Sequence, residues 1–276
     1  MNQNRHTLAV ALMLGLLGTS CNQLPLSQSP PIESSMICPF EGTELVVQAV
    51  SDEPVTAELL AEVAAVISRR LEGLSIQGAA VFPEAEDQVM VQLPLEADAS
   101  QVESTLGNRG QLSFRAQKPG GNPGLLQTLV AEQESIPETD EAALQANRDA
   151  IAAFFEPPQL TGSQLSDAQA EVSASGGWEI LIDFNDQGSQ AFADLTQQLA
   201  GTGRALGVFL DDVLISAPTI DVRYAETGIT GGAAVISGNF TAEAASDLAL
   251  QLRSGAFPAP TEILSIQSVT RDENCQ

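Results

Sequence analysis

Few residues in this chain have the type and spacing to carry chemistry. Asp183, Asp211 and Asp212 are the carboxylates that could share a proton or hold a metal. Ser216, in Ile215-Ser216-Ala217-Pro218, has the look of a nucleophile loop. Their surroundings argue against both uses. Asp183 lies on the face of an alternating run from Trp178 to Phe184. Asp211-Asp212 separates two apolar runs, where aspartate serves turns because it hydrogen-bonds locally and tolerates left-handed backbone. A serine nucleophile needs a base, and the single histidine, His6, lies in a segment that reads as cleaved. No Ser-His-Asp triad, Cys-His pair or histidine metal site can be assembled. There is no GxGxxG, Walker A, CxxC or zinc spacing. The expectation is a non-enzymatic protein with no catalytic residue, no metal and no cofactor.

The cysteines, Cys21, Cys38 and Cys275, suggest another chemistry. Arg5 and His6 give a positive start, Leu8 to Gly18 is an apolar run, and Thr19-Ser20 are small. That order is a secretory signal peptide over 1–20; a buried N-terminal helix is the competing reading. The run is well short of the ~20 residues that span a bilayer. Gly18-Thr19-Ser20-Cys21 resembles the lipobox of bacterial lipoproteins, which implies a lipid on Cys21 and anchoring on the exported face of the envelope membrane. Gly18 stands where that family prefers Leu, and Gly18-x-Ser20 also suits an ordinary signal peptidase, so plain secretion stays open. Asn22 to Pro31 is polar and proline-rich, and 21–43 reads as a tether. Cys38 and Cys275 are left over in an oxidising compartment, where a disulfide between them is expected over two separate thiols.

Charge narrows the partners. Lys+Arg number 11 against 36 Asp+Glu, a formal charge of −25, and Lys118 is the one lysine. Such a field repels phosphate backbones, so no nucleic acid is expected. Aromatics at 4% offer no stacking platform, while 43% hydrophobic residues are enough for a mainly aliphatic core.

The elements follow from periodicity, and 276 residues suit one large domain or two small ones. Residues 44–50 form a strand. A helix capped by Thr56 carries Leu59, Leu60, Val63, Val66, Ile67 and Leu71 at helical spacing. Arg69 and Arg70 fall in its last turn, where cations suit the dipole, and Gly73 serves as its stop. Strands over 74–82 and 88–93 flank the acidic turn 84–87, with Val89, Val91 and Leu93 on one face. Ser100-x-x-Glu103 is a capping box for a short helix, and 111–116 is a strand. The order βαββαβ is that of a ferredoxin-like unit. Lys118 to Gly124 is a breaker cluster, followed by a Gln/Glu/Ala-rich stretch of one or two surface helices ending at Pro157-Pro158.

A second αβ unit begins with the strand at Trp178. Asn185 or Asp186 caps a helix with Phe192, Leu195 and Leu199. Strands over 204–210 and 213–216 flank a tight turn at Asp211-Asp212, and another covers 229–237. Thr241 caps a helix with Ala245, Leu248, Ala249 and Leu252, ended by Gly255, and a last strand covers 262–270.

The stretch DDVLISAPTI, then ITGG, then ISGNFTAEAASDLALQLRSGAFPAP resembles the large periplasmic domain of the SecD family, a membrane subunit of the bacterial protein-export machinery. The matching positions include Ser216, Ala217, Pro218, Gly231, Gly238, Phe240, Thr241, Leu248, Leu252, Arg253, Gly255, Ala256 and Pro258; Val91 to Pro94, Leu112 to Arg115, and Gly188, Phe192 and Thr196 agree. Asp212 stands where that family often has Gly. The resemblance implies an α+β fold of two ferredoxin-like/αβ subdomains, a base over 44–117 and 258–276 and an inserted head over 178–257, with a helical connector over 118–177. The last strand would pair in the base sheet, which brings Cys38 near Cys275 if it runs antiparallel to the first. It implies contact with exported unfolded polypeptides or Sec translocon subunits. The family's transmembrane helices have no counterpart before Gln276, so a stand-alone, lipid-tethered soluble domain is expected. A general envelope adaptor that keeps the fold without export work is the alternative, and a carboxylate hydrolase a weaker third.

Overall fold

The structure is a computed structural model that describes residues 41–270 apart from 134, 138 and 175. Cys21, Cys38 and Cys275 lie outside the described residues, as do the signal segment and nearly all of the tether. In chain order the elements are β1 (Gly42–Ala49), α1 (Ala57–Gly73), β2 (Ala80–Pro83), β3 (Gln88–Pro94), α2 (Ala99–Leu106), β4 (Leu112–Ala116), α3 (Pro123–Gln133), α4 (Glu141–Ala152), β5 (Leu160–Thr161) and β6 (Leu165–Val172). Then come β7 (Trp178–Phe184), α5 (Asp186–Leu199), β8 (Leu206–Leu210), β9 (Val213–Ser216), β10 (Ala233–Phe240), α6 (Ala242–Ser254) and β11 (Thr261–Val269).

Alternation builds the first layer. Leu45, Val47 and Ala49 of β1 and Val89, Val91 and Leu93 of β3 point to one side of an antiparallel sheet ordered β11-β1-β3-β2. The apolar stripe of α1 (Leu60, Val63, Val66, Ile67, Leu71) and Val102 and Leu106 of α2 close that side. Thr56 caps α1, its hydroxyl accepting from the Leu59 N–H at 3.1 Å. The cap of α2 is Asp98, whose carboxylate takes the N–H groups of Ser100 and Gln101, so the Ser100 capping box does not form. Nor does Gly73 stop α1: Ser75 takes the left-handed backbone at φ 59. The Leu250 side chain occupies the space a Cβ on Gly73 would need.

The first sheet is completed by the last strand of the chain, as expected, and not by β4. β4 leaves the first sheet and pairs with β5 and β8 in a second one, ordered β5-β4-β8-β9, and β11 takes the place beside β1. The cause is burial. Leu112, Phe114 and Ala116 alternate along β4, and Phe114 meets Phe184 and Phe192 edge-on at 5.8 and 6.0 Å. These residues belong to a core shared with β7, α5, β8 and α6. A third sheet, β10-β7-β6, closes that core.

The stretch read as connector does more than connect. Leu126 of α3 and Ile151 of α4 pack, with Phe155 just beyond, on Phe209 and Leu214, covering the other face of the second sheet. β8 is therefore buried on both faces, Val208 to one core and Phe209 to the other. Residues 165–172 form β6, antiparallel to β7. Asp211 and Asp212 make the expected tight turn between β8 and β9, with φ of 49 and 64.

Candidate functional site

The carboxylates do not converge. Asp183 sits in β7 opposite Asp167 and Ala233, in a different sheet from the Asp211-Asp212 turn. Asp212 pairs with Arg115 at 2.6 Å and is mostly exposed. The Asp211 carboxylate accepts from the backbone N–H of Gly110 at 3.1 Å and of Gln111 at 2.7 Å. Asp211 and Asp212 are thus each occupied in holding neighbouring chain. Among the described residues no group of three or more His, Cys, Asp or Glu is arranged to hold a metal. Ser216 lines an apolar cleft.

Asp211 belongs to a neck that periodicity does not disclose. The chain leaves the first sheet at 109–111 and returns to it at 255–258, and the two passages touch: the Phe257 N–H donates to the Arg109 carbonyl at 2.9 Å. Arg70, from α1, is fully buried beneath them. Its Nη1 donates to the carbonyls of Thr105 (2.5 Å) and Asn108 (2.6 Å), its Nη2 to those of Arg109 (2.9 Å) and Gly255 (3.4 Å). The guanidinium stands 4.2 Å from the centre of the Phe257 ring. Arg69 Nε reaches the Ser254 carbonyl at 2.7 Å, and Arg109 donates to the carbonyls of Phe257 and Pro258. Gly110 is required here, with φ 75 and a hypothetical Cβ only 2.9 Å from Arg70 Nη2. Burial pushes the Arg70 guanidinium down to about 10, Asp211 pulls the other way and Arg69 adds to the lowering, so it stays charged at neutral pH. The signal lay in the sequence: Arg70 follows Ile67 by three positions and Val66 by four, on the apolar stripe itself.

The second feature is the cleft. Phe114, Phe192, Leu206 and Val208 line it from within, with Ile220 and Ala233 to Ile236 toward the rim, around a volume of about 350 Å³. β9 and β10 flank it, their Cα atoms within 8 Å at the closest. Among the described residues β9 pairs only with β8 and β10 only with β7, so both present an open edge.

These two features can be set beside known proteins. The family model for the SecDF P1 head subdomain matches residues 139–259, and that for the N-terminal P1 domain of protein translocase subunit SecDF matches 60–119. This chain belongs to the SecD family. Protein translocase subunit SecD of Synechocystis sp. is 42% identical over 243 residues, 81% of this chain and 52% of that relative. SecD of Prochlorococcus marinus is 30% identical over 273 residues, 82% of this chain and 54% of its own length. The chain thus spans about half the length of these SecD relatives. A solved SecDF structure, described as that of a membrane component that enhances protein export, superposes with a TM-score of 0.65 at 29% identity, over 82% of this chain and 100% of that one. The match to the SecDF head model begins at 139, just before α4, so α4, β5 and β6 fall within the matched head region. Among the described residues no helix is long and apolar enough to cross a membrane.

Proposed function

We propose that this protein assists protein export on the outer face of a bacterial inner membrane, its head holding a stretch of unfolded polypeptide as it emerges from the Sec translocon. The observation that carries this reading is the apolar cleft bordered by the open edges of β9 and β10. An unfolded chain offers alternating apolar side chains and unpaired backbone groups. An apolar cavity takes the first and a bare strand edge takes the second, with little demand on sequence. The work is binding and release, without catalysis. The neck gives release a mechanical basis: the chain crosses between base and head in two touching passages held by the Arg70 cluster, and a swing of the head about them would slide α6, whose Leu250 packs at Gly73, over α1. The N-terminal segment supplies the anchor, a lipid on Cys21 followed by the proline-rich tether.

Site-specific photo-crosslinking tests the cleft. Val235 lines it and is 49% exposed, whereas Gln101 is exposed on α2 of the base. A photoreactive residue at 235 should capture a translocation-arrested precursor, and one at 101 should not. Equal capture at both positions would remove the cleft from the mechanism. Capture at 235 of folded envelope proteins alone would point to an adaptor in place of an export factor.

A further inference from the structure

Three places in the molecule stand outside the functions argued so far. The concavity around Glu53, Glu86, Asp87 and Glu262 is an acidic cluster with nothing in it that points to a ligand. The uncovered side of the first sheet carries Val46, Met90 and Phe82 in one row, and nothing in the structure shows what would sit on it. A pocket at the neck carries an inference further.

That pocket has a volume of about 530 Å³, within the roughly 300–1,000 Å³ usual for ligand sites. Val213 and Ile215 of β9, Phe240 of β10 and Leu248 of α6 give it apolar walls. Ser104 and Asn108 bring in the base, and Arg148 of α4 closes another side. Gln251 of α6 is the informative residue. It is 5% exposed, its amide has no hydrogen-bond partner, and neither amide atom is sealed off inside the protein. A buried amide in that state costs free energy until a partner meets it. Arg148 is unspent in the same way. Most described cations, Arg69, Arg70 and Lys118 among them, donate to carbonyls of the fold, whereas half-buried Arg148 donates to none.

The pocket also continues the apolar cleft. Along β9, Ser216 lines the cleft, and Ile215 and Val213 line the pocket. Along β10, residues 233–236 line the cleft and Phe240 lines the pocket. Extended chain advances about 3.3 Å per residue, so a segment of about eight residues matches the length of β10. Laid between the open edges of β9 and β10, it passes from one cavity into the other.

We infer that the neck pocket is the second half of a polypeptide track, taking the next few residues of an extended chain whose first part lies in the head cleft. The inference rests on the export reading for the identity of that chain. The Gln251 amide offers a donor and an acceptor together, the complement of one peptide group, and the Arg148 guanidinium donates to a neighbouring carbonyl. The apolar walls take a side chain of the segment. Ser104 and Asn108 belong to the base and Gln251 to the head, so a chain seated here touches both sides of the neck and fixes the angle between them. Gln101 does not line the pocket and stays off the track. A chain held in the cleft alone leaves the head free to swing; one long enough to reach Gln251 restrains it.

The test uses the full purified chain and two fluorescent synthetic peptides of alternating Ser and Leu, one of about five residues and one of about ten. The longer peptide should bind at least about tenfold more tightly. Gln251→Leu should weaken it about fivefold and Arg148→Gln about tenfold. The shorter peptide should bind both variants as it binds wild type, which also shows that they fold. Spin labels at Thr202 and Gln101 should narrow in distance with the longer peptide only. Equal affinity for the two lengths, or wild-type binding of the longer peptide by both variants, would overturn the track while leaving capture at Val235 to support the export reading. Binding of the longer peptide that depends on Gln251 and Arg148, with no binding of the shorter one and no capture at Val235, would uphold the pocket and remove the cleft. Binding of neither peptide would overturn both.

Discussion

Replacing Arg70 by methionine tests the neck directly. The side chain is fully buried, and three of its hydrogen bonds are short: 2.5 Å to Thr105, 2.6 Å to Asn108 and 2.9 Å to Arg109. Charge-assisted bonds contribute about 1.5–3 kcal/mol each, so these three amount to roughly 6 kcal/mol before offsets. Methionine fills a similar volume and also removes the burial cost of the cation, which is several kcal/mol for an ion of this kind. Against that, it leaves the three carbonyls without this donor and loses the stacking on Phe257, at about 0.5–2 kcal/mol. The balance is a loss of about 3 kcal/mol. For a folded region of this size each kcal/mol moves the midpoint by about 2–4 °C, so calorimetry should show Tm lower by roughly 6–12 °C. Arg70→Lys keeps the charge but has no planar fork to serve two sets of carbonyls, and should lose about 2 kcal/mol. Arg69→Met, which gives up one bond to Ser254, should lose about 1 kcal/mol and calibrates the series. If Arg70→Met melts within about 1 kcal/mol of wild type, or Arg70→Lys is silent, the guanidinium does not hold the two passages and the reasoning fails.

Three further outcomes follow from the same geometry. Asp211→Ala removes both acceptors from Gly110 and Gln111 and places alanine at φ 49; a loss of about 2–3 kcal/mol is expected in urea, with Asp211→Asn near 1, and equal effects would show that the carboxylate contacts do not matter. The Asp167 carboxyl is held below the usual carboxylate range by the Gln169 side chain and then by the Ala168 N–H. It is half-buried and its contacts are largely screened by solvent, so Asp167→Ala should cost less than about 1 kcal/mol at pH 7. A lowered folded pKa stabilises above the unfolded value and is lost as pH falls through the folded one, so urea midpoints of variant and wild type should converge in acid. A gap that persists in acid would assign the cost to packing. Spin labels at Thr202 and Gln101, both exposed, should give a broad or bimodal distance distribution that narrows when an unfolded precursor is added; one narrow distance under both conditions would describe a rigid block.

What the sequence determined by itself is local. Thr56, Asn185 and Thr241 cap their helices as their side chains and the following apolar spacing require, because a cap needs only the N–H groups two or three residues on. The Asp211-Asp212 turn forms for the same short-range reason, and the alternation of Val89, Val91 and Leu93 sets which side of β3 is buried. The described residues contain no histidine, so no Ser-His-Asp triad lies among them. Tertiary structure decided the rest, because it depended on partners far along the chain. β6, whose inward apolar side chains are Leu165 at its start and the small Ala168 and Ala170, has too little periodicity to read as a strand and exists because β7 pairs with it and α6 covers it. From the sequence, β4 reads as the last strand of the first βαββαβ unit. It joined β8 because Phe114 finds Phe184 and Phe192 there, while β11 filled the vacancy beside β1. Arg70 looked like a dipole cation on a helix end. Only the convergence of Thr105, Asn108, Arg109 and Gly255 over that turn made burying its charge tolerable, since a guanidinium leaves water only where enough carbonyls have been gathered to meet it.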